Sequence, residues 1–290
     1  MGETGRWIVF GQSYGGVIAR KYLEVFPKSI GLAITHGSAK YNAIDVAENM
    51  ELNTTKRVRE YFKKYPDDHK ILLGLKTVLT TKYSIASADY RVSGENLIHL
   101  LSVFFAIYPD EQIHALISKI KEGDAASSFI ELVRPLSDQL LKAGVLNSAL
   151  AFIDLTDGVT PREVTVRALA NLRAKGTSPE TSLVSKLMLD LNTEILSQEE
   201  KRAEEMMQSG AFISDPTHLD VVRANVAQNG FEFHVFGSLA DTLAINSIKD
   251  EQVYMKNAKA VGILYHFSDG THREWLMNKD LFTEVIQKYK

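Results

Sequence analysis

Gly11-Gln12-Ser13-Tyr14-Gly15-Gly16 sets a serine between glycines directly after the apolar run Trp7-Ile8-Val9-Phe10. The spacing is G-x-S-x-G, which presents a serine hydroxyl on a strand-to-helix turn so sharp that ordinary side chains beside it would collide. Held at the C-terminal edge of a sheet, such a hydroxyl can attack a carbonyl carbon. Tyr14 follows it at the start of a helix, where the backbone N–H and the helix dipole favour an oxyanion. Gly11, Gly15 and Gly16 also suit two plainer readings, a β-α turn that only packs and a loop that lets backbone approach a phosphate. Neither G-x-G-x-x-G nor a Lys-Ser/Thr pair accompanies them, so the serine elbow is the leading reading.

A hydroxyl is a weak nucleophile until a base takes its proton, and the base needs a carboxylate to orient it. On turns of this kind the partners follow the serine in the order acid, then histidine. Ser268-Asp269-Gly270-Thr271-His272-Arg273-Glu274 is a polar turn with His272 at the start of the terminal helical segment, and His272 is the expected base. His266, at the end of the preceding strand pattern, is the runner-up; its plainer reading is an interior histidine with satisfied nitrogens. Asp241, just after the strand pattern Phe231–Gly237, is the expected acid and Asp250 the weaker choice. A surface aspartate is the plain alternative for both. His36 stands near where a pocket would open, a position at which a lone histidine is more often structural. The Tyr14 side chain suits lining a substrate site and simple packing equally.

The elements that must position these residues fall into three zones, 1–43, 44–228 and 229–290. Trp7–Phe10 reads as a buried-type strand, Val17, Ile18, Leu23 and Phe26 fall near helical spacing, Pro27 closes that helix, and Ile30–Ile34 is a second strand. Strand-helix-strand order implies parallel pairing in an α/β sheet. The middle zone is a helical insertion, with helical patterns over Glu95–Tyr108, Asp110–Ile120, Phe129–Leu146 and Thr181–Met207. Turn signals interrupt it at Tyr65-Pro66-Asp67-Asp68, Gly123-Asp124, Thr156-Asp157-Gly158 and Ser214-Asp215-Pro216. The α/β texture returns with Phe231–Gly237 and Ala260–Tyr265 and ends on a helix expected over Lys279–Tyr289.

Composition removes several function classes. The 290 residues carry 33 basic and 36 acidic side chains, a net charge of -3, which gathers neither nucleic acid nor an anionic membrane. Cysteine is absent, which excludes disulfides, thiolate metal sites and a cysteine nucleophile. The 8 histidines form no H-E-x-x-H and no close ligand pair, so no metal and no cofactor is expected. No apolar run reaches the roughly 18 residues of a membrane span, and Met1–Arg6 has no secretory leader pattern. The expectation is a soluble cytoplasmic protein.

The elbow, followed by Tyr22-Leu23, Phe26-Pro27 and a strand, resembles the proline iminopeptidase (prolyl aminopeptidase) branch of the α/β-hydrolase superfamily. Gly270-Thr271-His272 through Phe282 resembles that superfamily's last turn and closing helix. The resemblance covers about residues 6–39 and 231–290, and the middle zone is similar only in architecture, to a cap domain. It implies Ser13 as nucleophile, His272 as general base and then acid, Asp241 orienting the imidazole, and the Tyr14 N–H in the oxyanion hole. It also implies a peptide or arylamide substrate with N-terminal proline, its amino group met by acids such as Glu131, Glu180, Glu194, Glu199 or Glu204.

Two departures qualify what carries over. The family's acid usually follows its glycine by three residues, whereas Gly237 precedes Asp241 by four. The family also places four strands and a second oxyanion loop before the elbow, so the expectation is an α/β-hydrolase fold lacking its first four strands. Arg6–Phe10 would then be an apolar sheet edge open to a second copy or to a complementing N-terminal fragment. Loss of one oxyanion donor costs about 10²–10³ in rate, which predicts a weak or inactive hydrolase. An esterase acting on small acyl substrates is the alternative within the same chemistry, and a non-catalytic interaction module is the alternative outside it. Epoxide hydrolase and dehalogenase readings are disfavoured, because those resembling enzymes carry aspartate where Ser13 stands.

Overall fold

The computed structural model describes residues 5–38, 43–72, 74, 84–86, 91–93, 105, 108–120, 167, 170, 171, 174, 217–241, 244–278 and 280–289. In chain order its elements are β1 (Trp7–Gln12), α1 (Tyr14–Val25), β2 (Ile30–His36), α2 (Ala43–Lys64), β3 (Ser84–Ala86), β4 (Arg91–Ser93) and α3 (Asp110–Ile117). Then follow α4 (Leu219–Asn229), β5 (Glu232–Ser238), α5 (Ile245–Tyr254), β6 (Ile263–Ser268), α6 (Glu274–Met277) and α7 (Thr283–Gln287). The chain divides into two compact units, residues 1–50 with 215–290, and residues 51–214.

The first unit is α/β. Its four strands lie in the order β1-β2-β5-β6 and every neighbouring pair is parallel. Parallel strands need crossovers that cover the faces, so the central strands read as near-continuous apolar runs. β2, Ile-Gly-Leu-Ala-Ile-Thr-His, is buried at every position but Gly31. On one face Leu23 of α1 and Val222 and Val226 of α4 pack with Ala33, Phe233, Val235 and Ile263. On the other, Leu32, Ile34 and Phe236 pack with Val285 of α7 and with Leu281, Phe282 and Ile286. Each such fully buried side chain contributes about 1.5–3 kcal/mol.

The core face of α1 is Gly16, Val17, Ala19, Arg20 and Leu23. Ile18 and Phe26, expected on that face, are exposed instead. Arg20 takes the place of an apolar residue beneath the elbow. Its Nη1 donates to the Gly16 carbonyl at 3.0 Å, and its Nη2 donates to the Ser38 carbonyl at 2.8 Å and to Glu251 Oε1 at 3.1 Å. Tyr265 donates its hydroxyl to the same Glu251 oxygen at 3.1 Å. One buried ion pair therefore ties α1, the segment after β2, α5 and β6 together.

Several boundaries differ from the sequence reading. β6 starts at Ile263, because Ala258–Val261 forms a 3-10 turn and Gly262 adopts φ 90°, where a Cβ would come 3.2 Å from the Phe231 carbonyl oxygen. The last helix is the short α7 instead of one over Lys279–Tyr289. Ahead of it, Leu281 N–H donates to the Asn278 carbonyl at 3.2 Å and Thr283 N–H to the Asp280 carbonyl at 2.9 Å. Among the described residues β1 pairs with β2 alone, and it exposes Trp7, Ile8 and Phe10. β1 is thus an outer strand of the described sheet.

In the second unit, Arg57 of α2 donates to the carbonyls of Phe105 and Tyr108 and pairs with Asp110 at 3.3 Å. Buried Asp68 accepts from the Tyr61 hydroxyl and lies 2.9 Å from His114 Nδ1, while the Tyr65 ring stacks on His114. Pro66 opens a helical stretch, residues 66–72, where a turn was expected; proline suits a first helical position. The helical patterns at Phe129–Leu146 and Thr181–Met207, the later turn signals of the middle zone and most of Glu95–Tyr108 lie outside the described residues. Among the described residues no helix is long and apolar enough to cross a membrane.

Candidate active site

Because all four strands are parallel, their carboxyl ends share one edge of the sheet, the edge at which open α/β sheets bind ligands. Ser13 follows β1, Gly37 follows β2, Asp241 lies in the loop after β5, and His272 lies in the turn after β6. The three expected residues, Ser13, Asp241 and His272, come from three different strand ends on this one edge, and Gly37, which was not expected, comes from the fourth.

Ser13 has φ 52° and ψ -126°, a conformation that costs a non-glycine residue on the order of 1–3 kcal/mol. The surroundings hold it. Its N–H donates to the His36 carbonyl at 3.0 Å, and its own carbonyl accepts from Gly16 N–H at 2.9 Å, the first bond of α1. A Cβ on Gly11 would meet the Gly15 carbonyl oxygen at 2.2 Å, and one on Gly16 would meet Ser38 Cβ at 2.4 Å. Gly15 has open space around it, so two of the three glycines are sterically required and the third is not. Tyr14 is the first residue of α1, which turns its backbone N–H toward the helix start.

His272 Nδ1 lies 2.8 Å from Asp241 Oδ2, with the His272 side chain 9% exposed and the Asp241 side chain fully buried. The second carboxylate oxygen, Oδ1, accepts from Ala244 N–H at 3.1 Å. A carboxylate oxygen accepts, so Nδ1–H donates to it and Nε2 is the ring nitrogen left for proton transfer. Two backbone bonds fasten the acid's loop to the histidine's turn, from Leu239 N to the Ser268 carbonyl at 2.7 Å and from Ala240 N to the Gly270 carbonyl at 3.0 Å. Gly37 fills the remaining space. A Cβ there would come 3.0 Å from His272 Nδ1 and 3.2 Å from Asp241 Oδ2, and its φ of +56° favours glycine independently.

Gln12, next to the serine, donates from Nε2 to the His272 carbonyl at 3.3 Å, which joins the end of β1 to the histidine's turn. Among the described residues no hydrogen bond joins Ser13 to His272 directly, and the Gln12 side chain links their two segments.

The runners-up lie elsewhere. His266 Nε2 is 3.0 Å from His234 Nδ1, whose Nε2 is 2.9 Å from Glu232. Burial holds both histidines below the usual imidazole range, and they stack beside Phe236 on the α7 face of the sheet. Asp250 is exposed on α5. His36 is fully buried, and burial, followed by the charge of His272, pushes its imidazole down to about 4. Its Nε2 lies 3.2 Å from Ser238 Oγ, which donates to Glu274 Oε2 at 2.8 Å. Arg20, Ser38, Ser238 and Glu274 were not singled out from the sequence. Only the serines at paired strand ends, Ser238 opposite Ser268, give a readable signal for any of them.

Glu131, Glu180, Glu194, Glu199 and Glu204 lie outside the described residues. Among the described residues no group of three or more His, Asp or Glu side chains could hold a metal ion. No protein family matches the chain, and no curated protein matches it.

Proposed function

We propose that the protein is a serine hydrolase of the α/β-hydrolase type, with the described sheet corresponding to the part of that fold from the nucleophile strand onward. The observation that carries this reading is Ser13 at φ 52° and ψ -126° between β1 and α1, on the sheet edge that also bears the His272–Asp241 pair. A serine that merely packed would relax out of a conformation this costly. In the proposed reaction His272 Nε2 takes the Ser13 proton as Oγ attacks the substrate carbonyl. Asp241 stabilises the imidazolium and the Tyr14 N–H meets the oxyanion. His272 then returns its proton to the leaving amine or alcohol, and water releases the acyl group by the same route.

The resemblance of the elbow and of the last turn favours an aminopeptidase that removes N-terminal proline or a similar residue, with a small-ester hydrolase as the competing substrate class. Hydrolysis of proline arylamides against short acyl esters, with Ser13→Ala as the blank, separates the two. Faster turnover of the arylamide supports the aminopeptidase, and ester turnover alone overturns it. A second reading, an interaction module that keeps the fold without turnover, is favoured by the exposed Trp7, Ile8 and Phe10 along β1.

A further inference from the structure

Glu274 sits where three loops of the candidate site are joined. Its Oε2 accepts from Ser268 Oγ, at the point where the histidine's turn leaves β6, and from Ser238 Oγ at 2.8 Å, at the point where the acid's loop leaves β5. Ser238 and Ser268 are register partners across β5 and β6, so their hydroxyls stand side by side and one carboxylate oxygen serves both. The close approach has been given room. A Cβ on Gly270 would lie 2.4 Å from Glu274 Cδ, so only glycine lets the carboxylate fold back over the turn.

The chain of donors continues to the nucleophile. Ser238 spends its proton on Glu274, so its lone pair is what His36 Nε2–H reaches at 3.2 Å, while His36 Nδ1 is buried with no partner. The His36 carbonyl holds Ser13 N–H, and the next residue, Gly37, packs against both His272 and Asp241. A single side chain therefore anchors the histidine's turn, the acid's loop and, through His36, the segment that holds the serine.

We infer that Glu274 is a positioning residue for His272, holding the turn that carries the imidazole in register with Asp241. Its contact with the base runs through Ser238 and Ser268, and it touches no reacting atom. The inference rests on His272 being the base. Groups that orient a catalytic side chain from behind have large effects, because a displacement of about 1 Å at the reacting atoms costs about 10²-fold in rate.

The test uses the full chain, with Glu274→Ala and Ser268→Ala compared with Val226→Ala, which removes core stability far from this turn. One readout is the downfield proton resonance of His272 Nδ1–H, assigned by its loss in His272→Gln. The other is the rate of fluorophosphonate labelling at Ser13, taken where circular dichroism shows each variant folded. Glu274→Ala is expected to shift or abolish the resonance and to slow labelling by about 10²-fold. Ser268→Ala, the milder change, is expected to shift the resonance by a smaller amount. Glu274→Gln keeps the shape and still accepts one hydroxyl, so it recovers part of the rate, and Val226→Ala leaves both readouts as they were. An unmoved resonance in folded Glu274→Ala overturns the inference whatever the labelling does, and should that variant not fold, an unmoved resonance in Ser268→Ala overturns it. A shifted resonance in a protein whose Ser13 takes no label upholds the positioning role and removes the hydrolase reading instead.

Discussion

His272 and Asp241, 31 positions apart in the chain, meet at 2.8 Å in a buried pair in which one carboxylate oxygen faces Nδ1 and the other accepts from the N–H of Ala244. Replacing that carboxylate by an amide removes the acceptor that selects the useful tautomer while leaving the shape. Asp241→Asn is therefore predicted to fold and to lose about 10³–10⁴ in the rate of Ser13 modification. Asp250→Asn, on the exposed side of α5, is predicted to keep the parental rate. Stopped-flow labelling of both variants checks the assignment, and the reverse pattern would move the acid to Asp250.

The three elbow glycines are predicted to separate. Gly15→Ala places a methyl in open space on α1 and should gain about 0.5–1 kcal/mol of helix stability with labelling retained. Gly11→Ala and Gly16→Ala drive a methyl into the Gly15 carbonyl and Ser38, and should cost about 1–3 kcal/mol or more and disable the elbow. Urea midpoints together with labelling rates decide it. Equal costs at all three positions would contradict the described turn.

Arg20 and Glu251 form a buried pair, with side-chain exposures of 0% and 2%. Removing one member of such a pair strands the other charge, so Arg20→Ala is predicted to cost about 3–5 kcal/mol. Lys21→Ala, in a partly exposed pair with Glu24, should cost at most about 1 kcal/mol. Chemical denaturation gives both numbers, and comparable small losses would show that Arg20 is not the tie between α1 and α5.

Burial lowers three imidazoles, His36 to about 4 and His234 and His266 in the same direction. In each case the unfolded chain binds more protons than the folded one below the ordinary histidine value. Stability is thus complete above roughly pH 6.5 and falls as the pH drops toward 4, with His36 alone contributing on the order of 3 kcal/mol to the loss. Denaturation midpoints measured between pH 8 and pH 4.5 should decline below pH 6.5. In His36→Gln the decline should be shallower, and an unchanged slope in that variant would contradict the neutral buried state.

What was legible in the sequence were the features that local physics writes into neighbouring residues. An apolar run followed by G-x-S-x-G marked β1, the sharp turn at Ser13 and α1, and the polar stretch after the last strand marked the turn that carries His272. The residue types of β1, Trp7, Ile8 and Phe10, read as a covered strand, and only the resemblance implied that this strand would stand at an edge. Long-range relations were not legible. Arg20 reads as a solvated helical arginine until Ser38 and Glu251 are brought to it from 18 and 231 positions away. Glu274 reads as an ordinary first-turn acid until β5 delivers Ser238. The short α7 escaped for the opposite reason, because Leu281, Phe282, Val285 and Ile286 suit a longer helix than the Thr283–Gln287 that forms.

The central claim is that Ser13 is an activated nucleophile, and fluorophosphonate labelling of the folded chain, read by intact mass, tests it most directly. The account predicts one adduct per chain, located at Ser13, absent from Ser13→Ala and strongly slowed in His272→Gln. A folded chain that takes no label, or that labels equally well in Ser13→Ala, would contradict it.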